Sequence, residues 1–160
     1  MSAGFRIGFG TDTHRLKANL PLIIGGVRIT YSKGFVAHSD GDILIHAIID
    51  ALLGAMAERD IGYHFPDHDP QWKNADSMML LQHTIRLLKI KKFQISNLDC
   101  VIHAQNPRLS PFIPAMKKNL CKALNVSEQQ VNIKAKTGEE IGFVGQEHGM
   151  KAEAVVLISQ

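Results

Sequence analysis

Within the run HSDGDILIHAIIDALLGA, the apolar residues Ile43, Leu44, Ala47, Ile48, Ala51 and Leu52 recur at helical spacing. A stripe of this density has to be covered on at least one side, so whatever this chain folds into is built around that helix. Ser39, with Asp42 three residues on, reads as a capping-box-like start, and the helix is expected to end near Ala57, before an Asp60–Gly62 turn. His46 lies in the middle of the stripe. A single histidine on such a face is usually a packed core residue, unless another element supplies groups for it to meet.

The other elements follow from periodicity and punctuation. Phe5–Gly10 reads as a first strand leading into Asp12 and His14. Leu20–Ile24 and Val27–Ile29 flank Gly25–Gly26, a tight hairpin with positive φ at the turn. The proline-punctuated segment Tyr63–Asn74 reads as a loop, and loops of that length in a compact domain are often functional. A second helix is expected over Asp76–Lys91, with Met79, Leu80, Ile85, Leu87 and Leu88 inward, and Ile95–Ala104 alternates as a strand. Pro107–Pro114 interrupts before a third helix carrying Met116, Leu120 and Leu124. Val131–Lys136 and Ala152–Ile158 read as the last strands, separated by TGEEIGFVGQEHG. This order predicts an α/β fold (an α+β sandwich), a mixed sheet with helices packed on one face, in a single domain over residues 1–160.

Composition narrows the partners. The chain is 45% hydrophobic with a net charge of +3, ordinary for a globular protein and compatible with a small anionic substrate. The basic cluster Lys89–Lys92 sits at a predicted helix end, where cations suit the dipole, and no basic–aromatic interleaving points to nucleic acid. Cys100 and Cys121 are too few for a disulfide framework and lack metal-ligand spacing, so both are read as buried thiols in a reducing compartment. MSAGFRIGFG lacks the pattern of a signal peptide, and no apolar run approaches the ~18 residues of a membrane span, so a cytoplasmic location is expected.

Asp12 and His14 are two apart at a strand end and therefore share a face. With His46 from the helix they form a three-ligand set that leaves a fourth position open for water or a substrate oxygen. Mixed carboxylate and imidazole ligands suit zinc, with manganese or iron as alternatives. Asp42 and Asp50, one turn either side of His46, could orient its ring, although Asp42 is read as a solvated helix residue. His38 and Ser39 precede the helix N-terminus, where an anion could rest, or Ser39 simply caps the helix. Asp60-Ile61-Gly62 and Phe65-Pro66-Asp67 could bind sugar hydroxyls, though turn chemistry explains them as well. In Lys134–Glu139, Thr137 and backbone N–H groups could hold phosphate and Glu139 a Mg²⁺, without the spacing of a Walker loop.

Taken in order, the blocks GFGTDTHRL, PLIIGGVRI, AHSDGDILIHAIIDALLGA, DIGYHFPDHDP, IHAQNPRLSPFIPAM and KAKTGEEIGFVGQEHGMKAEAV resemble the 2-C-methyl-D-erythritol 2,4-cyclodiphosphate synthase family over essentially the whole chain. The resemblance implies a homotrimer with active sites between subunits, in non-mevalonate isoprenoid (terpenoid) biosynthesis. It implies a phosphorus–oxygen lyase that takes a cytidine diphosphate substrate, 4-diphosphocytidyl-2-C-methyl-D-erythritol 2-phosphate, to the cyclic diphosphate and CMP. On matching positions, Asp12, His14 and His46 would be zinc ligands and Glu139 a magnesium ligand. His38 and Thr137 match transition-state stabilisers, and Ser39 accompanies His38 at the phosphate. Asp60, Ile61, Gly62, Phe65 and Asp67 match the erythritol side of the site. Ala104, Pro107, Arg108, Leu109, Ala135, Lys136 and Thr137 match the cytidine pocket. Phe143, Gln146 and Glu153 match positions of a central trimer cavity.

Three residues depart from the family pattern. Arg108 stands where many relatives have lysine, Lys136 where threonine is common, and Gln146 where some relatives place an arginine toward bound isoprenoid diphosphates. Two other readings compete: a zinc-dependent phosphohydrolase and an isoprenoid-diphosphate-binding trimer. Neither membrane nor nucleic acid is an expected partner.

Overall fold

In the computed structural model, which describes residues 4–160, the apolar stripe forms helix α1, Ile43–Met56. Residues 1–3, part of the segment read for a signal peptide, lie outside the described residues. Every residue of α1 except Asp50 and Gly54 is buried. The helix is covered all round, by the sheet on one side and by a second long helix on the other. Each fully buried Leu or Ile contributes about 1.5–3 kcal/mol relative to an exposed one, so α1 organises the core. It stops where expected: Ala57 takes the left-handed conformation (φ 59°) and closes the last turn.

The sheet has five strands in the order β4-β1-β7-β5-β6. They are β1 (Phe5–Ala18), β4 (Lys33–Phe35), β5 (Gln94–His103), β6 (Val131–Lys136) and β7 (Gly149–Ser159). All pairings are antiparallel except β5–β6, which makes the sheet mixed. β2 (Leu22–Ile24) and β3 (Val27–Ile29) form the separate hairpin, with Gly25 and Gly26 at φ 59° and 69°. α3 (Ser77–Ile90) packs on α1, and α4 (Ile113–Leu124) packs on α3 and β6.

Cross-strand register separates the two faces. Gly8, Val156, Leu98 and Val131 align across β1, β7, β5 and β6, as do Gly10, Ala154, Cys100 and Ile133. These rows are buried against the helices. The alternate positions Phe5, Ile7, Phe9 and Val155 point the other way and are 65%, 70%, 58% and 44% exposed. Gly8 and Gly10 set how near α1 can come. A Cβ at either would stand 1.8 Å from Ala51 O or 2.0 Å from Ala47 O, so strand and helix meet main chain to main chain.

Several expectations need correction. β1 runs on through Asp12 and His14 to Ala18, because β7 pairs with it as far as Arg15 and β4 pairs with Leu16–Ala18. β4 was not anticipated, being only three residues long. The Tyr63–Asn74 segment is not all loop. A short helix α2 (Ile61–His64) starts on the Asp60 cap, and one 3₁₀ turn covers Pro70–Trp72. Met79 is 53% exposed rather than inward, whereas Leu81 is fully buried. The covered arc of α3 is Leu80, Leu81, Thr84, Ile85 and Leu88, and Met79 falls outside it. Cys100 is buried but Cys121 only partly so, since α4 turns Met116, Leu120 and Leu124 inward. α5 (Gly142–Gly145) forms within the glycine-rich segment. Among the described residues no helix is long and apolar enough to cross a membrane.

Candidate active site

Asp12 and His14 continue the helix-facing alternation that begins with Gly8 and Gly10. Because those glycines admit α1 so closely, His46 on the helix reaches the same point. Asp12 Oδ2 lies 3.0 Å from His14 Nδ1 and 3.0 Å from His46 Nδ1. One potential ligand atom from each residue falls within 4.8 Å of the others. The edge of Phe35 on β4 packs on the His14 ring, at 5.8 Å between centroids and 71°. Burial alone would raise the Asp12 carboxyl, but the two imidazoles beside it, His14 and His46, outweigh it and pull it down to about 2.

The triad fits a cation. His14 Nδ1 is buried and makes no hydrogen bond among the described residues, although an Asp12 oxygen stands 3.0 Å away. A buried ring nitrogen without a partner is costly unless something else occupies its lone pair. A carboxylate and two imidazoles converging on one point are the donor set of a borderline divalent metal.

The residues flanking His46 are not placed as the sequence suggested. Asp42 is not solvated: it is fully buried and caps α1 itself, accepting from Ile45 N (3.1 Å). Its oxygens also accept from Gly25 N (2.9 Å) and Gly26 N (2.7 Å), tying the β2–β3 turn to the helix. Burial pushes this carboxyl up to about 6 against those three N–H donors. Asp50 does not touch His46; it accepts from Ile61 N (2.7 Å) and anchors α2. Ser39 does not cap the helix, but accepts from Gly41 N (3.2 Å) and lies 3.3 Å from His46 Nε2. The closest partner of His46 Nε2 is Ser77 Oγ at 2.8 Å, a residue that sequence reading treated only as the start of a helix.

A cleft of 460 Å³ opens on the triad, lined also by His38, Ser39, Ile61, Gly62, Phe65 and Asp67. Phe65 stacks edge-on with Trp72 at 5.0 Å, which braces this wall. Asp60 is not part of the lining; its carboxylate accepts from Tyr63 N (2.9 Å) as the α2 cap.

A second cleft of 450 Å³ gathers Ala104, Pro107, Arg108, Leu109, Ala135, Lys136 and Thr137 where β5 and β6 end. It shares no residue with the first, and β7 and β5 separate β6 from β1 in the sheet. His38 and Thr137 therefore line different clefts of the same chain. Polar tethers hold the second cleft. Gln105 Oε1 accepts from Gly138 N (3.2 Å) and Glu140 N (3.4 Å). Glu147 accepts from Tyr31 Oη (2.6 Å), Asn106 Nδ2 (2.6 Å) and Lys33 Nζ (3.1 Å). Those three donors hold the Glu147 carboxyl down at about 2, with Tyr31 the strongest. Glu139 lies in neither lining and accepts from Thr137 Oγ1 (2.5 Å). Phe143 and Gln146 also lie outside both clefts; Gln146 Nε2 donates to Glu140 O (2.8 Å).

Comparison with known proteins shows the family. The family model described as the YgbB family matches residues 5–159. A Bacillus velezensis protein named 2-C-methyl-D-erythritol 2,4-cyclodiphosphate synthase is 50% identical over 156 residues, covering 98% of this chain and 99% of its own length. Among solved structures, the bifunctional IspDF from Campylobacter jejuni superposes with a TM-score of 0.94 at 39% identity. That match covers 99% of this chain, which spans only 43% of the bifunctional protein. The Plasmodium falciparum IspF complex with CDP superposes with a TM-score of 0.87 at 34% identity, covering 98% of this chain and 96% of that one. The chain belongs to the YgbB family, among relatives that carry the name 2-C-methyl-D-erythritol 2,4-cyclodiphosphate synthase.

Proposed function

We propose that this chain is a cyclodiphosphate synthase of isoprenoid biosynthesis, converting 4-diphosphocytidyl-2-C-methyl-D-erythritol 2-phosphate to 2-C-methyl-D-erythritol 2,4-cyclodiphosphate and CMP. The observation that carries this reading is the convergence of Asp12, His14 and His46, with an unpartnered buried His14 Nδ1, in a protein that also has a separate cleft of nucleotide-pocket residues. The whole of residues 1–160 acts as one catalytic domain, working in the cytoplasm.

In this reading Asp12, His14 and His46 would hold zinc, or manganese in its place, and Glu139 would hold Mg²⁺. Such ions would supply Lewis-acid charge to the substrate's phosphates. The chain's own residues do the rest. Ala104, Pro107, Arg108, Leu109, Ala135 and Lys136 seat the cytidine nucleotide, and Lys136 adds a cation beside the diphosphate. Ile61, Gly62, Phe65 and Asp67, with Asp60 shaping the turn, enclose the erythritol. His38 and Ser39 on one side and Thr137 on the other donate to the charge that develops on phosphorus. An oxygen of the 2-phosphate forms a bond to the β-phosphorus while the bond to the α-phosphate oxygen breaks, and CMP leaves. Since the nucleophile is already an anion, orientation and charge neutralisation suffice and no general base is required.

One chain offers the two clefts on different parts of the sheet, while the substrate needs both. We infer a homotrimer that completes each site between subunits. The exposed Phe5, Ile7, Phe9 and Val155 on the face opposite the helices supply an apolar surface for it. Phe143, Gln146 and Glu153 belong to the cavity at its centre. Gln146 is neutral and spends its amide on Glu140 O, which weighs against an isoprenoid-diphosphate-binding role as the primary one.

The test is ³¹P NMR of the purified protein with the 2-phosphate substrate and Mg²⁺, with a native mass measurement alongside. Stoichiometric CMP and cyclic diphosphate from a trimer is the expected result. Linear hydrolysis products would replace this reading with a phosphohydrolase, and no turnover would leave binding as the function.

A further inference from the structure

We propose that Asp40 and Ser77 act as a positioning relay that holds the His46 ring by its Nε2–H, so that Nδ1 is the nitrogen left for a cation at the Asp12–His14 point. The inference rests on the metal-site reading above and adds two residues to it.

Proton counting leads there. Ser77 Oγ carries a single proton, and two neighbours compete for it: His46 Nε2 at 2.8 Å and the Asp40 carboxylate, which is closer. A carboxylate can only accept, so the Ser77 proton goes to Asp40 Oδ1. The remaining lone pairs of Ser77 Oγ then face Nε2, which must be the donor. Nδ1 is then the nitrogen that faces the Asp12–His14 point: it hydrogen-bonds Asp12 Oδ2 at 3.0 Å, and once its proton is displaced it is the atom a cation there would meet. Ser39 Oγ, at 3.3 Å from Nε2, has a second lone pair beside the one that accepts from Gly41 N and can accept from the same Nε2–H.

The relay is firmly set. Ser77 is fully buried, so its hydroxyl has no water to exchange with. Asp40 is fixed by two further donors, Ser77 N at 3.0 Å and Asp42 N at 3.1 Å, which join the starts of α3 and α1 through one carboxylate. Backbone bonds from Asn74 N to His38 O (2.9 Å) and from Asp40 N to Ala75 O (3.3 Å) zip the His38–Asp40 segment onto the approach to α3. An outer group that holds one imidazole nitrogen orients the ring and its tautomer for the other.

The experiment compares wild type, Ser77→Ala, Asp40→Ala and His46→Ala in two measurements. The first is Zn²⁺ affinity by competition with a chromophoric chelator. The second is the tautomer of His46 by long-range ¹H–¹⁵N correlation, with and without Zn²⁺. Ser77→Ala is expected to bind Zn²⁺ ~10–100-fold more weakly, the usual loss when such an outer partner is removed. It is also expected to lose the protected Nε2–H signal. Asp40→Ala frees the Ser77 proton to turn toward Nε2, and should likewise mix the tautomers; it carries the test if Ser77→Ala does not fold. The relay is overturned if His46→Ala abolishes Zn²⁺ binding while the two outer variants keep wild-type affinity and wild-type tautomer. If His46→Ala leaves Zn²⁺ affinity unchanged, the metal-site reading falls. The metal-free Nε2–H signal then still decides the relay: a protected signal in wild type that is lost in Ser77→Ala upholds it, and its absence from wild type overturns it.

Discussion

Asp12, His14 and His46 stand on a strand and a helix in main-chain contact, backed by the buried Ser77 and Asp42. Around Pro107 and Lys136 the groups of the second cleft stand on a loop and a strand end, most of them exposed, held by Glu147 and Gln105. The half proposed for the metal is thus an extension of the core, and its geometry cannot change without repacking the centre of the molecule. The half proposed for the nucleotide is a surface feature pinned by a few replaceable polar contacts. A site that must align phosphates to a fraction of an ångström gains from the first construction, and one that grips and then releases a nucleotide gains from the second.

The sharpest way to break this contrast is His46→Ala. It should remove zinc and reduce turnover by at least ~10³-fold, as losing preorganised charge stabilisation does, while the trimer largely survives. Intact metal content in that variant would overturn the ligand assignment. Next is Asp42→Ala, which touches neither cleft but leaves three N–H groups, on Gly25, Gly26 and Ile45, without their acceptor. A destabilisation of about 3 kcal/mol is expected in chemical denaturation, since Gly25 and Ile45 are buried, each stranded buried donor costs ~1–3 kcal/mol, and the exposed Gly26 can turn to water. Stability within a few tenths of wild type would mean that the metal half does not depend on the core as described.

Metal removal probes the same link from the other side. A chelator should lower the melting temperature by about 5–10 °C, from ~2.7 kcal/mol of linkage at a hundredfold excess over Kd and ~2–4 °C per kcal/mol at this size. No shift would separate the triad from the fold. The smallest effect is expected in the nucleotide half, at Glu147. Its carboxyl titrates at about 2 in the fold against an ordinary 4.5, so its contribution is present above about 4.5 and fades as pH falls toward 2. Wild type should therefore exceed Glu147→Gln in urea midpoint at neutral pH, with the gap closing on acidification. A gap that does not change with pH would remove Glu147 as the tether.

Much of this was legible in the sequence because it rests on local pattern. The α1 stripe, the Gly25–Gly26 turn, the strand Val131–Lys136 and the Asp-x-His pair each announce themselves within a few residues. What escaped depends on partners distant in sequence. β4 exists only because Phe35 and its neighbours pair with Leu16–Ala18. Asp42 looks like any helix-start acid until the Gly25–Gly26 turn is brought against it. Ser77 lies 31 residues from His46 and has no spacing to betray it; the only hint was an Asp-Ser start to a helix, which capping explains equally well. Met79 and Leu81 could not be ranked, since both adjoin the apolar stripe of α3 and only the positions of α1 and α4 decide which is covered. The nucleotide and metal groups were each recognisable as sets, but that they occupy separate clefts of one chain is a property of strand order.

The contact at Gly8 and Gly10 has a consequence for tolerance. Where two elements meet through side chains, a lost methyl group lets them drift together and an added one pushes them apart. Here the separation between β1 and α1 is gauged by carbonyl oxygens and Cα atoms, which no rotamer can adjust. Core residues elsewhere along α1 can change size without altering the distance from Asp12 and His14 to His46. A single methyl at either glycine would act as a shim, lifting the helix and widening the ligand triangle directly.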